Sequence, residues 1–298
     1  MKKLGILIQR NTRLFFQDKG TFFTAMIAPL ILLLLFITFL GNVYSDSFLS
    51  GIPKGITVPE ELLSGFVGGW LLSSLLAVSC ITVAFTANMI MVQDKVNGTY
   101  ADVTIAPVKS WILSLSYYSS TALITAIICL LATGIGFIYL KHVGWYLSAS
   151  DILYVLTDVV LLVLFGTALS SVICSVIQSQ GGMTAVTTII SASYGFLCGA
   201  YMPIASFSDG IQKFIKYLPG TYGTALLHNH FMNGCFGEMN KMGIPAEVIT
   251  PLKDAFDNNL YFQNELVSIQ QMYIVLTITI VGLIILYLVI NALKRTRK

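Results

Sequence analysis

Charged side chains are scarce in this sequence of 298 residues. Asp, Glu, Lys and Arg make up 10% of the chain and hydrophobic residues 56%, whereas about 25% charged residues is usual in soluble globular domains. So few charges cannot cover a water-facing surface. Long apolar runs and a mean hydropathy of +0.80 therefore exclude an ordinary soluble protein and predict one transmembrane domain over residues 1–298.

Motifs for several kinds of chemistry are also absent. The five cysteines form no CxxC pair and predict neither a disulfide framework nor a metal site. The chain has no GxxxxGK[ST] loop to hold nucleotide phosphates, no HExxH and no GxSxG. His228 and His230 have HxH spacing without an acidic or cysteine partner, which favours an ordinary polar outer loop. We therefore expect no catalytic residue, no metal and no cofactor in this chain.

Apolar stretches of about 20 residues are long enough to cross a membrane as helices. Six such stretches predict an all-α polytopic membrane protein with six transmembrane helices. The predicted spans are 22–40, 66–92, 111–140, 152–177, 183–201 and 272–293. An even number of spans places both termini on the same side of the membrane.

Basic residues are concentrated at the two ends of the chain. Residues 1–20 combine Lys and Arg with apolar residues at helical spacing, which predicts an amphipathic helix in the membrane interface. The apolar run that follows has no cleavage site for a signal peptide, so we expect the segment to be retained. With both termini in the cytoplasm, inner segments carry eleven Lys or Arg against three acids, and outer segments six against ten. This asymmetry favours that orientation.

The loop between the second and third spans is the most informative polar segment. Gly98 can end one helix, and Asn97 or Thr99 can cap another. This predicts a short helix from about Tyr100 to Ile105, which Pro107 stops before the third span. A plain helical connection is the alternative interpretation.

The spacing in this loop resembles the coupling-helix loop of type-2 ATP-binding-cassette permeases, in which an acidic stretch precedes Gly-Thr and a proline follows. Gly98, Thr99 and Pro107 match that pattern, whereas Val96 and Ala101 stand where the family often has glutamate. The resemblance implies that an ATPase contacts this loop. The residues implied in coupling are Asn97, Gly98, Thr99, Tyr100, Asp102, Val103 and Pro107.

A second segment resembles the same family at the outer end of the fifth span. The chain turns at Met202 and Pro203 and reaches Leu218-Pro219 after a short amphipathic stretch. The resemblance implies short re-entrant helices after this turn, and the more polar residues 222–271 predict a small outer cap. Taken with the basic amphipathic beginning and the order of spans, the resemblance covers nearly the whole chain.

The resemblance also implies a function. The chain would be the permease subunit of an ATP-driven exporter, with ATP and Mg bound by a dimer of soluble ATPase subunits on separate polypeptides. A second permease subunit, identical or related, and the lipid bilayer are the other expected partners, and no nucleic acid is expected. The expected location is a bacterial plasma membrane. The weakly polar spans favour an amphipathic or hydrophobic cargo.

Hydroxyl side chains form stripes in two of the spans, Ser79, Thr82 and Thr86 in the second and Thr184, Thr187, Thr188 and Ser191 in the fifth. The hydroxyls of such residues can donate hydrogen bonds to backbone carbonyl oxygens of their own helix, so both stripes can belong to packed contacts between helices. Alternatively, both stripes line a substrate path at an interface between two permease subunits.

Asp158 is a charged residue inside an apolar run, in the fourth span. Ionisable residues at membrane depth are candidate functional sites. An ion site at Asp158 would support an alternative function, an ion-coupled secondary transporter. Because Asp158 lies near the outer end of its span, it can instead reach the lipid headgroups or pair with Lys141.

Overall fold

The computed structural model of the chain describes residues 2–53, 56–105 and 108–296, and helices dominate these ranges. The helices are α1 (Lys2–Gln17), α2 (Lys19–Leu35), α3 (Gly41–Ser50), α4 (Glu60–Ala87), α5 (Met89–Val96), α6 (Thr99–Ile105), α7 (Ser110–Val143), α8 (Ala149–Val176), α9 (Gln180–Leu197), α10 (Asp209–Ile215), α11 (Pro219–Lys241), α12 (Ala246–Ala255) and α13 (Ile269–Thr296). A π-helical stretch, Phe36–Leu40, joins α2 to α3, and a 3₁₀ turn, Ile204–Ser206, follows α9. Strands β1 (Tyr261–Phe262) and β2 (Glu265–Leu266) form an antiparallel hairpin.

Five helices in the described ranges are long and apolar enough to cross a membrane. They are Lys19–Ser50, Glu60–Val96, Ser110–Val143, Ala149–Val176 and Ile269–Lys294. They contain the predicted spans 22–40, 66–92, 111–140 and 272–293 whole, and all but the last residue of 152–177. The chain is therefore an all-α, multi-pass membrane protein.

The fifth predicted span, 183–201, corresponds to α9, which is not among those five helices. Helix α9 ends at Leu197, earlier than predicted, because Gly199 adopts a left-handed φ of +76°. The backbone N–H groups of Ala200 and Tyr201 then donate back to the Gly195 carbonyl oxygen, as is usual where a helix ends in a left-handed residue. The count of six spans stays a prediction.

Helix α4 lies at the centre of the bundle and is buried on nearly all sides. It packs against α2, α7, α8, α9 and α11. Its sequence is apolar around the whole circumference, which is typical of a helix without a solvent face. Small residues bring neighbouring helices close, since a Cβ on Gly69 would lie 3.2 Å from the Phe231 carbonyl oxygen of α11.

Polar contacts show which helix ends lie together. At the end that we call inner, Lys294 of α13 donates to the Ser175 carbonyl oxygen of α8 at 2.6 Å. At the opposite, outer end, the Asn233 amide of α11 donates to Asp151 in the first turn of α8 at 2.8 Å. Helices α5 and α6 lie at the inner end, and α10 and α12 accompany α11 at the outer end.

The segment after Met202 and Pro203 differs in part from the prediction. Short helices are present, as the 3₁₀ turn and α10. The polar cap predicted from residue 222 is wrong for residues 222–241, because α11 packs among α4, α8 and α13 and most of its residues are buried. Its polar side chains bond to those helices, which a count of hydropathy cannot reveal. Helix α12 and the hairpin complete the segment.

Candidate functional site

The loop between α5 and α6 contains the predicted short helix. Helix α5 ends at Val96, and α6 begins at Thr99 after Asn97 and Gly98. Gly98 has a φ of +81°, a conformation that other residues adopt at a cost. Its carbonyl oxygen accepts the N–H of Ala101 at 2.8 Å and so starts the first turn of α6. Pro107, which we expected to stop this helix, lies outside the described residues.

Helix α6 has one face on the bundle and one face in solvent. Tyr100 and Val103 are half-buried against the core, and the Tyr100 ring stacks on Tyr117 of α7 with centroids 6.3 Å apart. Asp102 is exposed, and Ile105 is 85% exposed. Because α6 lies outside the apolar spans, this outward face is available for contact with another protein.

A buried carboxylate connects α5 to two other helices. Both guanidinium ends of Arg10 in α1 donate to Asp94 in α5, one of them at 2.9 Å, and the Tyr117 hydroxyl of α7 donates to the same carboxylate at 2.6 Å. Bidentate pairs of this kind are among the stronger charge-assisted hydrogen bonds. The hydrogen bond to Asp94 raises the pKa of the Arg10 guanidinium above its ordinary value. The amphipathic helix α1 is thereby tied to the segment that leads into α6.

The neighbouring residue, Lys95, connects α5 to a third helix. Its ammonium donates to the carbonyl oxygens of Cys174 and Ser175 at 2.8 Å each, at the end of α8. A cation at a helix C-terminus satisfies unpaired carbonyls and the negative end of the helix dipole. Helix α5 is thus bonded to α1 and α7 through Asp94 and to α8 through Lys95.

A cavity of about 320 Å³ opens between α1 and the α5–α6 loop. Its lining includes Arg10, Phe15, Asp18, Asp94 and Asn97. The Thr21 hydroxyl and N–H donate to Asp18, which lowers the pKa of that carboxyl below its ordinary value. The cavity therefore presents charges of both signs and reaches Thr99 at the start of α6.

Sequence reasoning missed the four residues that organise this region, Arg10, Asp94, Lys95 and Tyr117. A usable signal was present, because only three acids occur in the predicted inner segments. An acid beside an apolar span, in a region rich in basic residues, is expected to find a cation.

The predicted substrate-path residues separate into two environments. Ser79, Thr82 and Thr86 of α4 are buried inside the chain. In α9, which packs on α4 and α5, the Thr187 and Ser191 hydroxyls are also buried, without a hydrogen-bond partner. Thr184 and Thr188 are exposed, and their hydroxyls donate to carbonyl oxygens one turn earlier in α9. The two stripes therefore do not form one continuous exposed surface in a single chain.

The predicted outer turn is held by two long-range hydrogen bonds. Met202 and Pro203 are half-buried. The Tyr44 hydroxyl donates to the Tyr201 carbonyl oxygen at 2.8 Å, and the Ile204 N–H donates to the buried Asp257 carboxylate at 2.8 Å. Burial raises the pKa of the Asp257 carboxyl to about 8.

Two expectations about polar residues at the outer end are wrong. Asp158 neither reaches the surface nor pairs with Lys141, since it is 1% exposed and bonded to His230. His228 and His230 lie on the buried helix α11 and not in a polar loop, and His228 Nδ1 is 2.8 Å from the Ser73 hydroxyl of α4. Within the described ranges, no group of three or more His, Cys, Asp or Glu could hold a metal ion.

Comparison with known proteins gives one family. The family model described as ABC-2 type transporter matches residues 2–231, which is most of the chain. The matched region runs from α1 through the α5–α6 loop and into α11. None of the curated proteins that were compared matches the chain.

Proposed function

Because the chain belongs to the ABC-2 type transporter family, we propose that it is the permease subunit of an ATP-driven exporter and that a separate ATPase docks on α6. ATP and Mg are then bound by the ATPase and not by this chain. The observation that carries the proposal is the geometry of α6, which is seated on the bundle through Tyr100 and Val103 and exposes Ile105 on the other face.

The contacts of α5 and α6 provide a route for mechanical coupling. A push on α6 acts on α7 through the stacked rings of Tyr100 and Tyr117. Because α6 follows α5 across a two-residue connection, the same push reaches α1 through Asp94 and α8 through Lys95. One docking event therefore acts on three neighbouring helices together, as a switch between two discrete arrangements requires.

The exposed face of α9 supports the proposal of a second permease subunit. Spans that face lipid expose large aliphatic side chains, such as Leu131 of α7 and Ile278 of α13. Helix α9 also exposes Ile189 and Phe196, but between Thr184 and Thr188 its exposed residues are Thr184, Ala185 and Thr188. Small and hydroxyl residues favour close helix contacts in membranes, so we place the permease partner on this face.

Cargo and orientation follow from composition. The weakly polar spans fit an amphipathic or hydrophobic cargo leaving the cytoplasm or the inner leaflet. The basic residues at both ends support a cytoplasmic location for both termini under the positive-inside rule. We propose a bacterial plasma membrane as the location of the chain. The ion-coupled alternative has no support from the family match, and Asp158 has both carboxylate oxygens engaged by protein groups.

The docking proposal is tested by charging the exposed face of α6. Ile105→Asp, in tagged protein purified from its own cells, should reduce recovery of a co-purifying ATPase of the ATP-binding-cassette class by about tenfold or more, as loss of a central interface contact does. Ile211→Asp is the matched control, because Ile211 is an exposed isoleucine on α10, another seven-residue helix at the opposite end.

A second variant separates coupling from docking. Val103→Pro breaks α6 where its side chain packs on the bundle, and we expect the purified complex to lose nearly all vanadate-sensitive ATPase activity while the chain still inserts. Wild-type recovery of the ATPase with Ile105→Asp, together with wild-type hydrolysis with Val103→Pro, would exclude α6 as the docking and coupling element.

A further inference from the structure

A second buried carboxylate joins three helices at the outer end of the bundle. Asp158 of α8 is 1% exposed, and its Oδ2 lies 2.6 Å from Nδ1 of His230 in α11. The Tyr273 hydroxyl of α13 donates to Oδ1 of the same carboxylate. Each carboxylate oxygen is thus engaged by a different helix.

One shared proton and one hydroxyl are enough to satisfy both oxygens of the Asp158 carboxylate. Asp158 and His230 need one shared proton for the short contact between Oδ2 and Nδ1, whichever partner carries it. The pair then has no net charge, and the Tyr273 hydroxyl satisfies the second oxygen. A lone carboxylate at this depth would carry a large desolvation penalty. The three side chains therefore favour one arrangement in which all three helices are present.

Aromatic stacking fixes the imidazole in place. The Tyr154 ring of α8 stacks on His230 with centroids 4.9 Å and planes 18° apart. The Tyr273 ring lies 6.4 Å from His230, at 27°. His230 therefore has side-chain neighbours from α8 and α13 on two sides, and its position follows those two helices.

Helix α11 contacts α4 through a different kind of side-chain pair. His228, two residues before His230, has its Nδ1 2.8 Å from the Ser73 hydroxyl of α4, whereas its Nε2 is buried without a partner. This pair contains no carboxylate, and hydrogen bonds between uncharged groups are weaker than those to a carboxylate. Apolar and aromatic packing supplies the rest of the contact with α4, since Trp70 stacks on His228 and Phe66 packs against Phe236. Among the polar side-chain contacts of α11, those to α8 and α13 are therefore stronger than the one to α4.

We propose that Asp158, His230 and Tyr273 are positioning residues for transport, which keep α11 with α8 and α13 as one moving unit at the outer end. This inference rests on the proposed function, because a moving unit has meaning only in a permease that changes its outer face. Asp158, His230 and Tyr273 determine which neighbouring helices the buried helix α11 moves with.

The chain contains its own reporter, because Cys235 lies on α11, five residues after His230, and is buried. We would measure maleimide labelling of Cys235 by mass spectrometry in native membranes that contain the full chain. Asp158→Asn removes the carboxylate and should raise the labelling rate by about tenfold or more, through local opening of α11. Thr157→Val is the matched control, since Thr157 is exposed and its hydroxyl bonds within α8.

Two further variants make the test specific. The exchanged pair, Asp158→His with His230→Asp, restores a carboxylate and an imidazole in contact and should bring labelling back to within about twofold of wild type. Tyr273→Phe removes one hydroxyl, with little risk to folding, and should raise labelling about threefold. A wild-type rate in Asp158→Asn or in Tyr273→Phe would overturn the proposal, and so would an exchanged pair that labels as fast as Asp158→Asn.

The nucleotide cycle tests the movement itself. In wild-type membranes, Cys235 should stay equally protected without nucleotide and after trapping with ATP and vanadate, because α11 travels with its neighbours. Protection lost in one state would overturn the proposal. The labelling of Asp158→Asn needs no nucleotide and is independent of docking at α6. Wild-type ATPase recovery with Ile105→Asp and wild-type hydrolysis with Val103→Pro would therefore exclude the docking proposal and leave the Asp158→Asn result standing.

Discussion

The two ends of the bundle use the same chemical arrangement, a buried carboxylate bonded to an arginine or histidine side chain and a tyrosine from two other helices. The members are Arg10, Asp94 and Tyr117 at the inner end and His230, Asp158 and Tyr273 at the outer end. Each set joins three helices that are distant in the sequence. The same arrangement therefore connects three helices at each end of the bundle, and we call each set a connector.

The two connectors differ in their access to water. The Arg10 side chain is 31% exposed, whereas those of His230 and Asp158 are 8% and 1% exposed. The Arg10 guanidinium can turn to water when the inner pair opens, so only the Asp94 carboxylate loses its partner. Both members of the outer pair are buried, and their separation leaves both unsatisfied. We therefore interpret the inner connector as the one that can open and re-form when an ATPase acts, and the outer connector as a fixed joint.

The largest effect is expected from Asp158→Ala. Removing the carboxylate leaves the His230 ring and the Tyr273 hydroxyl without their partner, and each loss costs about 1–3 kcal/mol, so the free energy of unfolding should fall by about 4 kcal/mol. Unfolding of the purified protein by sodium dodecyl sulfate measures this change. Thr157→Val should stay near wild type, and a loss below about 1 kcal/mol would remove the distinction between the two ends.

The second largest effect is a pH dependence of the free energy of unfolding, which we expect from Asp257 at the outer end. Asp257 has a folded pKa of about 8 against an ordinary value of 3.8, so the folded protein holds this proton more tightly than the unfolded chain does. Its contribution to stability is present below about pH 4 and is lost as pH rises toward 8, by up to about 3 kcal/mol between pH 5 and 8. The difference between wild type and Asp257→Asn across that range isolates the effect. If wild type instead became more stable relative to Asp257→Asn as the pH rises from 5 to 8, the prediction would be wrong.

Asp94→Ala should cost less than Asp158→Ala. The Arg10 side chain can turn to water, so only the Tyr117 hydroxyl and part of the ion pair are lost, for about 1–2 kcal/mol of unfolding free energy. Asp102→Ala on the exposed face of α6 is the control and should change little. Equal losses for Asp94→Ala and Asp158→Ala would show that water access does not separate the two connectors.

The sequence predicts those helices whose position depends only on neighbouring residues. Hydropathy finds long helices such as Ser110–Val143, and Gly98 followed by Thr99 predicts where α6 begins, because both depend on neighbouring residues alone. Helix α11 is different, since its His and Asn residues count as polar although their partners lie on distant spans. His230 and Asp158 are 72 residues apart, and Arg10 and Asp94 are 84 apart.

The same limit applies to the candidate site. The position of the α5–α6 loop could be predicted, but not the residues that anchor it, because Asp94 and Lys95 appear in the sequence as ordinary loop charges. Only the packing of α1 and α8 beside α5 gives them partners. The fifth span was predicted to end four residues beyond Leu197 for a local reason, since the left-handed residue Gly199 interrupts an apolar run that hydropathy reads as continuous.

The smallest effect is expected from alanine substitutions at two glycines that have open space around them. A Cβ on either Gly98 or Gly210 would meet nothing within 4 Å, so only backbone conformation distinguishes them. Gly98→Ala should cost about 1 kcal/mol, because φ is +81° there. Gly210→Ala in α10 should gain about 0.4–1 kcal/mol, since it restricts the unfolded chain. Opposite signs in the same unfolding assay would show that the inner loop depends on its left-handed turn, and a gain at Gly98 would contradict that.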